Sequence, residues 1–282
     1  MSNTSSPSPD QQVAFITGAA SGIGRATAEL FASKGWWIGA ADHNSDGLDD
    51  LAKSLGATSC RTWELDVTDK DHYDEVIAEL GTATGGRLDL LHNNAGVGAA
   101  GFFEDIPVEE SRRIVEVNLF GVLNGIYAAL PLLKATPNSL CFSTSSSAAT
   151  YGSPGLAVYS ATKFAVKGLT EALAVELARC DVRVADVLPG VIDTAIFADS
   201  PFYVGGEHIS PDILPSTADT APKEGPFRLI PPSRVAEAVW RCAQGDPRMH
   251  WYVPEEVEQI DIDKTASPEA MRDARIASSR SV

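Results

Sequence analysis

Tyr159 and Lys163 stand four positions apart in the run Tyr159-Ser160-Ala161-Thr162-Lys163, and Ser146 precedes the tyrosine by thirteen positions. On a helix, positions i and i+4 share a face, so this phenol and this ammonium are directed toward one pocket. Tyrosine titrates near ~10 when unperturbed, and a neighbouring ammonium favours the phenolate, bringing proton exchange closer to neutral pH. Ser146 is then placed to donate a hydrogen bond to a substrate oxygen. Standing alone, a Tyr-x-x-x-Lys pair is an ordinary solvated helix face. Its chemical reading depends on what accompanies it.

The first companion is Thr17-Gly18-Ala19-Ala20-Ser21-Gly22-Ile23-Gly24, which follows a short apolar stretch and leads into a helical pattern near Arg25. Glycines let the backbone turn tightly and approach a pyrophosphate, while a helix N-terminus directs free N–H groups and a positive dipole end at it. The spacing is Gly-x-x-x-Gly-x-Gly, and such a turn can also be nothing more than a tight connection. The second companion is Asp42, which closes the next apolar stretch, 18 positions beyond Gly24. There a carboxylate can accept hydrogen bonds from an adenosine ribose, although an aspartate at a strand end is equally a turn former.

Positioning these groups requires a scaffold, and the apolar pattern supplies one. Short β-branched or aromatic runs at 13–17, 36–41, 88–92, 139–143, 182–188 and 250–253, with a weaker one at 62–65, predict about seven strands. Helical spacing over 22–34, 69–80, 109–134 and 156–179 alternates with them, and Thr68 and Asp69 are placed as caps. Runs this uniformly apolar suit a parallel sheet covered on both faces, which predicts a doubly wound α/β layer. Residues 195–230 break the pattern: they hold five prolines together with Ile196, Phe197, Phe202, Tyr203, Ile209, Ile213, Leu214 and Phe227. So many apolar side chains predict a lid or insertion that packs over something. Residues 1–10 are polar and Ser/Pro-rich, which reads as a disordered leader before one domain spanning 11–282.

Composition narrows the function classes. Lys and Arg total 22 against 38 Asp and Glu, a net charge of −16, which repels a polyphosphate and argues against nucleic acid as a partner. Hydrophobic residues make up 44% of the 282, with no unbroken apolar run near the ~18 residues of a membrane span, so a soluble chain without membrane contact is expected. Cys60, Cys141, Cys180 and Cys242 lack the paired spacings of zinc or redox motifs, so no metal is expected and a cytoplasmic location is. His43, His72, His92 and His250 read as packing or surface residues, Trp36 and Trp37 as core. His208, inside the lid segment, reads as a solvated loop residue that can also reach substrate.

Taken together, these residues resemble the short-chain dehydrogenase/reductase family, from about Val13 to Pro254. Thr17 to Gly24, including Gly18, Ser21, Gly22, Ile23 and Gly24, looks like the family's cofactor loop. Asn93-Asn94-Ala95-Gly96 looks like its sheet-stabilising turn, and Asp66-Val67 like the pair beside the adenine. Ser146, Tyr159 and Lys163 match its catalytic set. Asn118, in Val117-Asn118-Leu119, matches the asparagine that holds a water and Lys163 in a proton relay. Pro189-Gly190 with Thr194 resembles the segment that holds the nicotinamide carboxamide. No catalytic position departs from the pattern; the segment after Thr194 and the tail after Pro254 do.

The resemblance implies a Rossmann-type sheet of order 3-2-1-4-5-6-7 and hydride transfer between a nicotinamide and an alcohol or ketone. Tyr159 would exchange the hydroxyl proton, Lys163 would also bind the nicotinamide ribose, and Ser146 would steady the oxygen. It also implies a homo-oligomer, a dimer or tetramer, through the helices near 109–134 and 156–179. NAD is the expected cofactor, because Ala40-Ala41-Asp42-His43-Asn44 carries no Lys or Arg to meet a 2′-phosphate. An apolar set of Val97, Phe102, Phe103, Tyr151, Val191, Ile192, Ile196, Phe197, Phe202 and Tyr203 predicts a neutral, largely apolar substrate, with Glu104, Asp105 and His208 able to add one polar contact. Two alternatives share the fold: an epimerase or dehydratase with a tightly held NAD, and a dinucleotide-binding protein without catalysis. A pure binder, however, has no need of a phenol beside an ammonium.

Overall fold

The computed structural model describes residues 5–56, 58–194, 196, 200–210 and 217–279. Seven strands form one parallel sheet: β1 Val13–Thr17, β2 Trp37–Asp42, β3 Cys60–Glu64, β4 Leu90–Asn93, β5 Ser139–Thr144, β6 Val182–Pro189 and, last in the chain, β9 His250–Val253. Their spatial order is β3-β2-β1-β4-β5-β6-β9, the order the resemblance implies. The helices α1 Gly22–Ser33, α2 Ser45–Leu55, α3 Lys70–Thr84, α4 Val108–Val115, α5 Gly121–Ala135 and α6 Ala157–Ala178 provide the crossovers. Asp69 caps α3 by accepting from the His72 N–H at 3.0 Å.

Each face of the sheet has its own apolar core because side chains alternate along a strand. Trp36 and Trp37 show the alternation. Trp36 packs with Phe31 of α1 and Trp240 on one face, with ring centroids 5.0 Å apart for Phe31–Trp36 and 5.1 Å for Phe31–Trp240. Trp37 is fully buried on the other face with Tyr73, Leu80, Val122 and Leu133. Burying side chains of this size contributes roughly 1.5–3 kcal/mol each, enough to fix the strand register. The C-terminal ends of β1, β2, β4, β5 and β6 therefore open on one edge, and the strand order reverses between β1 and β4, where ligands of such sheets bind.

Four features depart from the sequence reading. The helix expected over 109–134 is broken by a π-helical turn at Glu116–Phe120 between α4 and α5. The helical stretch Val108–Ala135 is also long and apolar enough to span a membrane by length and composition, with mean hydropathy 1.4 over an 18-residue window within it. Asn118, Asn124 and Pro131 hide this from a scan for unbroken apolar runs; α5 nonetheless buries Val122, Ile126, Ala129 and Leu133 in the core. The helix α2, capped by Asn44 accepting from Gly47 N–H at 3.0 Å, was masked by its polar composition and internal glycine. Helices at Pro232–Ala243, Val257–Ala266 and Pro268–Ser279 likewise extend the fold beyond the strand pattern.

Within the 195–230 segment, β7 Phe202–Val204 and β8 Glu207–Ile209 make an antiparallel hairpin around Gly205-Gly206, whose φ angles are +60° and +83°. Its foot is tied down: Ala100 N–H donates to Pro201 O at 2.9 Å, and Tyr203 N–H to Ala100 O at 2.8 Å. At the far end Ile230 N–H donates to Val191 O at 2.9 Å. Phe197, Pro211, Ile213, Leu214 and Pro215 lie outside the described residues, as do positions 1–4 of the leader; Ser5 Oγ donates to Cys60 O at 2.6 Å.

Candidate active site

A cavity of about 900 Å³ opens at the C-terminal edge of the sheet and runs from Asp42 to Tyr159. Gly18, with φ +65°, turns the chain out of β1. Gly24 lets the turn close, since a Cβ there would lie 2.1 Å from Gly18 O. Below the loop runs a polar chain. Asn94 Nδ2 donates to Thr17 O at 3.0 Å and Gly18 O at 3.3 Å, while Thr144 Oγ1 donates to Asn94 Oδ1 at 3.1 Å. Thr144 Oγ1 thereby accepts from His92 Nε2, 3.0 Å away, and burial lowers His92 to a pKa of about 3, so it is neutral. His92 is thus a buried packing residue that fixes the glycine loop from beneath.

Asp42 is buried at the end of β2, where its Oδ2 accepts from Ala20 N–H at 3.0 Å and its Oδ1 from Asn44 N–H at 2.9 Å. The carboxylate therefore both holds the loop and lines the cavity. His43 Nδ1 stands 3.1 Å from it and is well exposed. Asp66 is exposed beside buried Val67 and accepts from Thr68 N–H and Oγ1 at 2.9 and 2.8 Å. Ser21, Gly22, Ile23, Ala95, Gly96, Pro189, Gly190 and Thr194 also line the cavity.

At the other end Ser146, on the turn after β5, and Tyr159, near the start of α6, share a hydrogen bond. Lys163 is buried, donates from Nζ to Thr144 O at 2.9 Å and lies 5.5 Å from the Tyr159 ring centroid. The helical pairing thus brings the three together. Its expected electrostatic effect is corrected: burial raises the Tyr159 phenol above its ordinary value, and the hydrogen bond with Ser146 opposes this. The ammonium is turned to the Thr144 carbonyl and the ring face instead of the phenol oxygen.

Burial pulls Lys163 down to about 8. Because the folded pKa is depressed, the cost of charging this lysine is complete below pH 8 and vanishes above the unfolded value near ~10.4. At about 1.4 kcal/mol per unit, Lys163→Met is expected to stabilise the ligand-free protein by roughly 1–2 kcal/mol at pH 7, after subtracting the lost bond to Thr144 O. Denaturation midpoints from pH 6 to 10 should show that gain disappearing toward pH 10; a gain that grows with pH would contradict the assignment.

Asn118 and Gly24 stand behind the cavity wall. Asn118, fully buried on the π-helical turn, accepts from Val97 N–H at 2.8 Å and donates to Val97 O at 2.9 Å. The π turn swings this side chain off the regular helical path to grip the strand-end segment, a feature concentrated at functional sites. Beside Gly96, a Cβ would stand 3.3 Å from Asn118 Oδ1 and 3.6 Å from Lys163 Nζ.

The apolar set is corrected more heavily. Val97, Val191, Ile192 and Ile196 line the cavity, but Tyr151, Phe102, Phe103, Phe202 and Tyr203 do not. Phe102 and Phe103 are each 70% exposed because their loop is anchored through Gly101 and not through its side chains. Phe202 and Tyr203 are spent on the hairpin foot. His208 is exposed and packs against Tyr203, ring centroids 5.6 Å apart, as a solvated loop residue, and like Glu104 and Asp105 it is off the cavity wall. Gly98, Arg113, Glu116, Leu156, Ser200 and Phe227 take these places. Arg113 and Glu116 were concealed by their positions in an otherwise ordinary helical pattern.

Comparison with known proteins gives a consistent picture. The family model for short chain dehydrogenase matches residues 12–201. A 3-oxoacyl-[acyl-carrier-protein] reductase FabG from Thermotoga maritima is 36% identical over 192 residues, 67% of this chain and 78% of that protein. Among solved structures, a Brucella melitensis 3-ketoacyl-(acyl-carrier-protein) reductase complexed with NADH shares 28% identity at a TM-score of 0.73, covering 87% of this chain and 98% of that one. An alcohol dehydrogenase from the archaeon Thermococcus sibiricus complexed with 5-hydroxy-NADP shares 28% at 0.70, covering 86% and 94%.

Proposed function

The chain belongs to the short-chain dehydrogenase family, and from that premise we propose that it is an NAD(H)-dependent oxidoreductase acting on a neutral, largely apolar secondary alcohol or ketone. The observation that carries the proposal is the convergence of Ser146, Tyr159 and Lys163 at one end of a cavity whose other end is closed by Asp42. The residues present fit a dinucleotide: a loop that a Cβ at Gly24 would block, a helix N-terminus behind it, and a carboxylate at the ribose position.

Gly18, Ser21, Gly22 and Ile23 would hold the pyrophosphate, with Gly24 letting their turn close from behind, Asp42 the adenosine ribose, and Asp66 and Val67 the adenine. Asn94, Ala95, Gly96, Pro189, Gly190 and Thr194 would surround the nicotinamide half. Bound there, the nicotinamide supplies or accepts the hydride. Tyr159 gives its phenolic proton to the substrate oxygen in reduction and takes it back in oxidation. Ser146 donates a hydrogen bond to that oxygen where charge develops. Lys163 would hold the nicotinamide ribose from its place beside Thr144 O and over the Tyr159 ring. Asn118 fixes Val97 and flanks Lys163, which fits a relay that returns protons to solvent.

We read the 195–230 segment as a substrate lid, since Ile196, Ser200 and Phe227 face the cavity. Exposed Phe120, Tyr127 and Val175, on the π turn, α5 and α6, support a dimer or tetramer built on these helices. Free thiols at Cys141, Cys180 and Cys242 support a cytoplasmic location. The substrate class is tested with a homologous series of methyl ketones and one matching keto acid, following NADH absorbance. Efficiency should rise with added carbons until the cavity is full, and Phe227→Ala should flatten the rise, because each buried methylene contributes roughly 0.8 kcal/mol. Preference for the keto acid would overturn the neutral-substrate reading.

A further inference from the structure

We infer that Arg113 is a specificity-determining residue whose guanidinium donates hydrogen bonds to a second oxygen of the substrate, away from the reacting carbonyl. The inference rests on the dehydrogenase reading and sharpens its substrate class: a neutral ketone or alcohol that also carries an ester, amide or ether oxygen, in place of a plain hydrocarbon chain.

Arg113 lies on α4 and lines the substrate end of the cavity, its side chain 40% exposed. Nε and Nη2 donate to Glu110 Oε2 at 3.0 and 2.9 Å, and Nη2 also donates to Gly98 O at 3.3 Å. Gly98 leads directly to the chemistry, since a Cβ built on it would stand 2.8 Å from Ser200 Oγ and 4.0 Å from Tyr159 Cδ2. The guanidinium therefore sits one backbone link from the phenol, beside the foot of the lid.

Its donor inventory is incomplete. A guanidinium has five N–H groups in a rigid planar fork and stays protonated. Three are used on Glu110 and Gly98, while the two on Nη1 make no hydrogen bond among the described residues. With the side chain 40% exposed on the cavity wall, the open prong is available to a ligand oxygen in place of water. Glu110 neutralises the charge at i,i+3, so the open prong is a donor without net positive charge behind it. Such a donor favours a neutral oxygen over a carboxylate, which would also face Glu110. The other lysine or arginine on the cavity wall, Lys163, is already hydrogen-bonded to Thr144 O.

The test compares ketones of equal length, one plain and the others with a single ester or ether oxygen moved along the chain, on wild type and Arg113→Met. Met keeps the length and packing but removes every donor. Wild type should favour the best-placed oxygen by about tenfold in kcat/KM, expressed in KM, which is the worth of one good hydrogen bond. Arg113→Met should erase that tenfold, so that the oxygenated ketone loses about ten times more kcat/KM than the plain one, whatever common loss follows from releasing Gly98 O, and the NADH dissociation constant should stay within about twofold. Equal losses on plain and oxygenated ketones would show a brace alone and overturn the inference. Turnover of every ketone with no oxygen preference in wild type would overturn it too, with the dehydrogenase reading intact. No turnover of any ketone or matching alcohol would overturn that reading and this one with it. Should Arg113→Met not fold, Glu110→Gln supplies the second arm. It uncovers the guanidinium charge and should raise keto-acid efficiency about tenfold relative to the keto ester; an unchanged ratio would overturn the inference.

Discussion

Tyr159→Phe is expected to yield a folded protein that binds NADH within about twofold of wild type but turns over roughly 10²–10⁴ times more slowly, the factor that general acid–base catalysis supplies. The substitution removes one oxygen and leaves the ring against Lys163, so packing is preserved. Only the hydrogen bond with Ser146 and the transferable proton are lost. Retention of more than a tenth of wild-type kcat would remove Tyr159 from its role. The direction of its pKa adds a pH signature. Oxidation needs the phenolate and reduction the phenol, and burial raises the phenol. Alcohol oxidation should therefore climb as pH rises from 7 toward 10, while ketone reduction stays level over the same range and falls only at its top.

Asp42 is expected to produce the second large effect, a preference for NAD over NADP. A 2′-phosphate entering beside this carboxylate meets a like charge, and at about 4 Å with an effective dielectric near 20 the repulsion is on the order of 4 kcal/mol per charge pair. Solvent and salt screening at the cavity mouth can halve that. The remaining ~2 kcal/mol still corresponds to about 30-fold in kcat/KM. Asp42→Asn removes the charge while its Oδ1 can keep one of the two backbone contacts that hold the loop, to Ala20 and Asn44. The variant should bring the two cofactors within a few-fold of each other. Equal efficiencies in wild type, or a preference for NADP, would refute the role of Asp42.

Much of this site was legible in one dimension because its parts are local. The i,i+4 pair of Tyr159 and Lys163, the glycine turn and the acidic strand end are each set by a few contiguous residues. The two-faced apolar strands fix the register that gathers them at one sheet edge. The structure added what depends on three-dimensional neighbours. Nothing in the period of α4 and α5 reveals that Asn118 needs a π turn to reach both polar groups of Val97. The apolar lining was misread because Phe102 and Phe103 look like core residues by type, while their backbone carries them out to solvent. Nothing in the helical pattern singles out Arg113, because the carbonyl it meets, Gly98 O, lies fifteen positions earlier in the chain. Likewise the ammonium of Lys163 was expected to act on the phenol, and its turn toward Thr144 O depends on a β5 carbonyl nineteen positions away in the chain.

The most direct test of the central claim is the fate of a labelled hydride. The protein is incubated with NADH carrying deuterium at the transferable C4 position and a neutral methyl ketone, and the products are read by NMR. The proposed function predicts one deuterium on the carbinol carbon for each NAD⁺ formed, with the transfer all but abolished by Tyr159→Phe. An unlabelled product with the cofactor recovered unchanged, as an internally recycled hydride would give, or no product from a panel of ketones and matching alcohols, would contradict it.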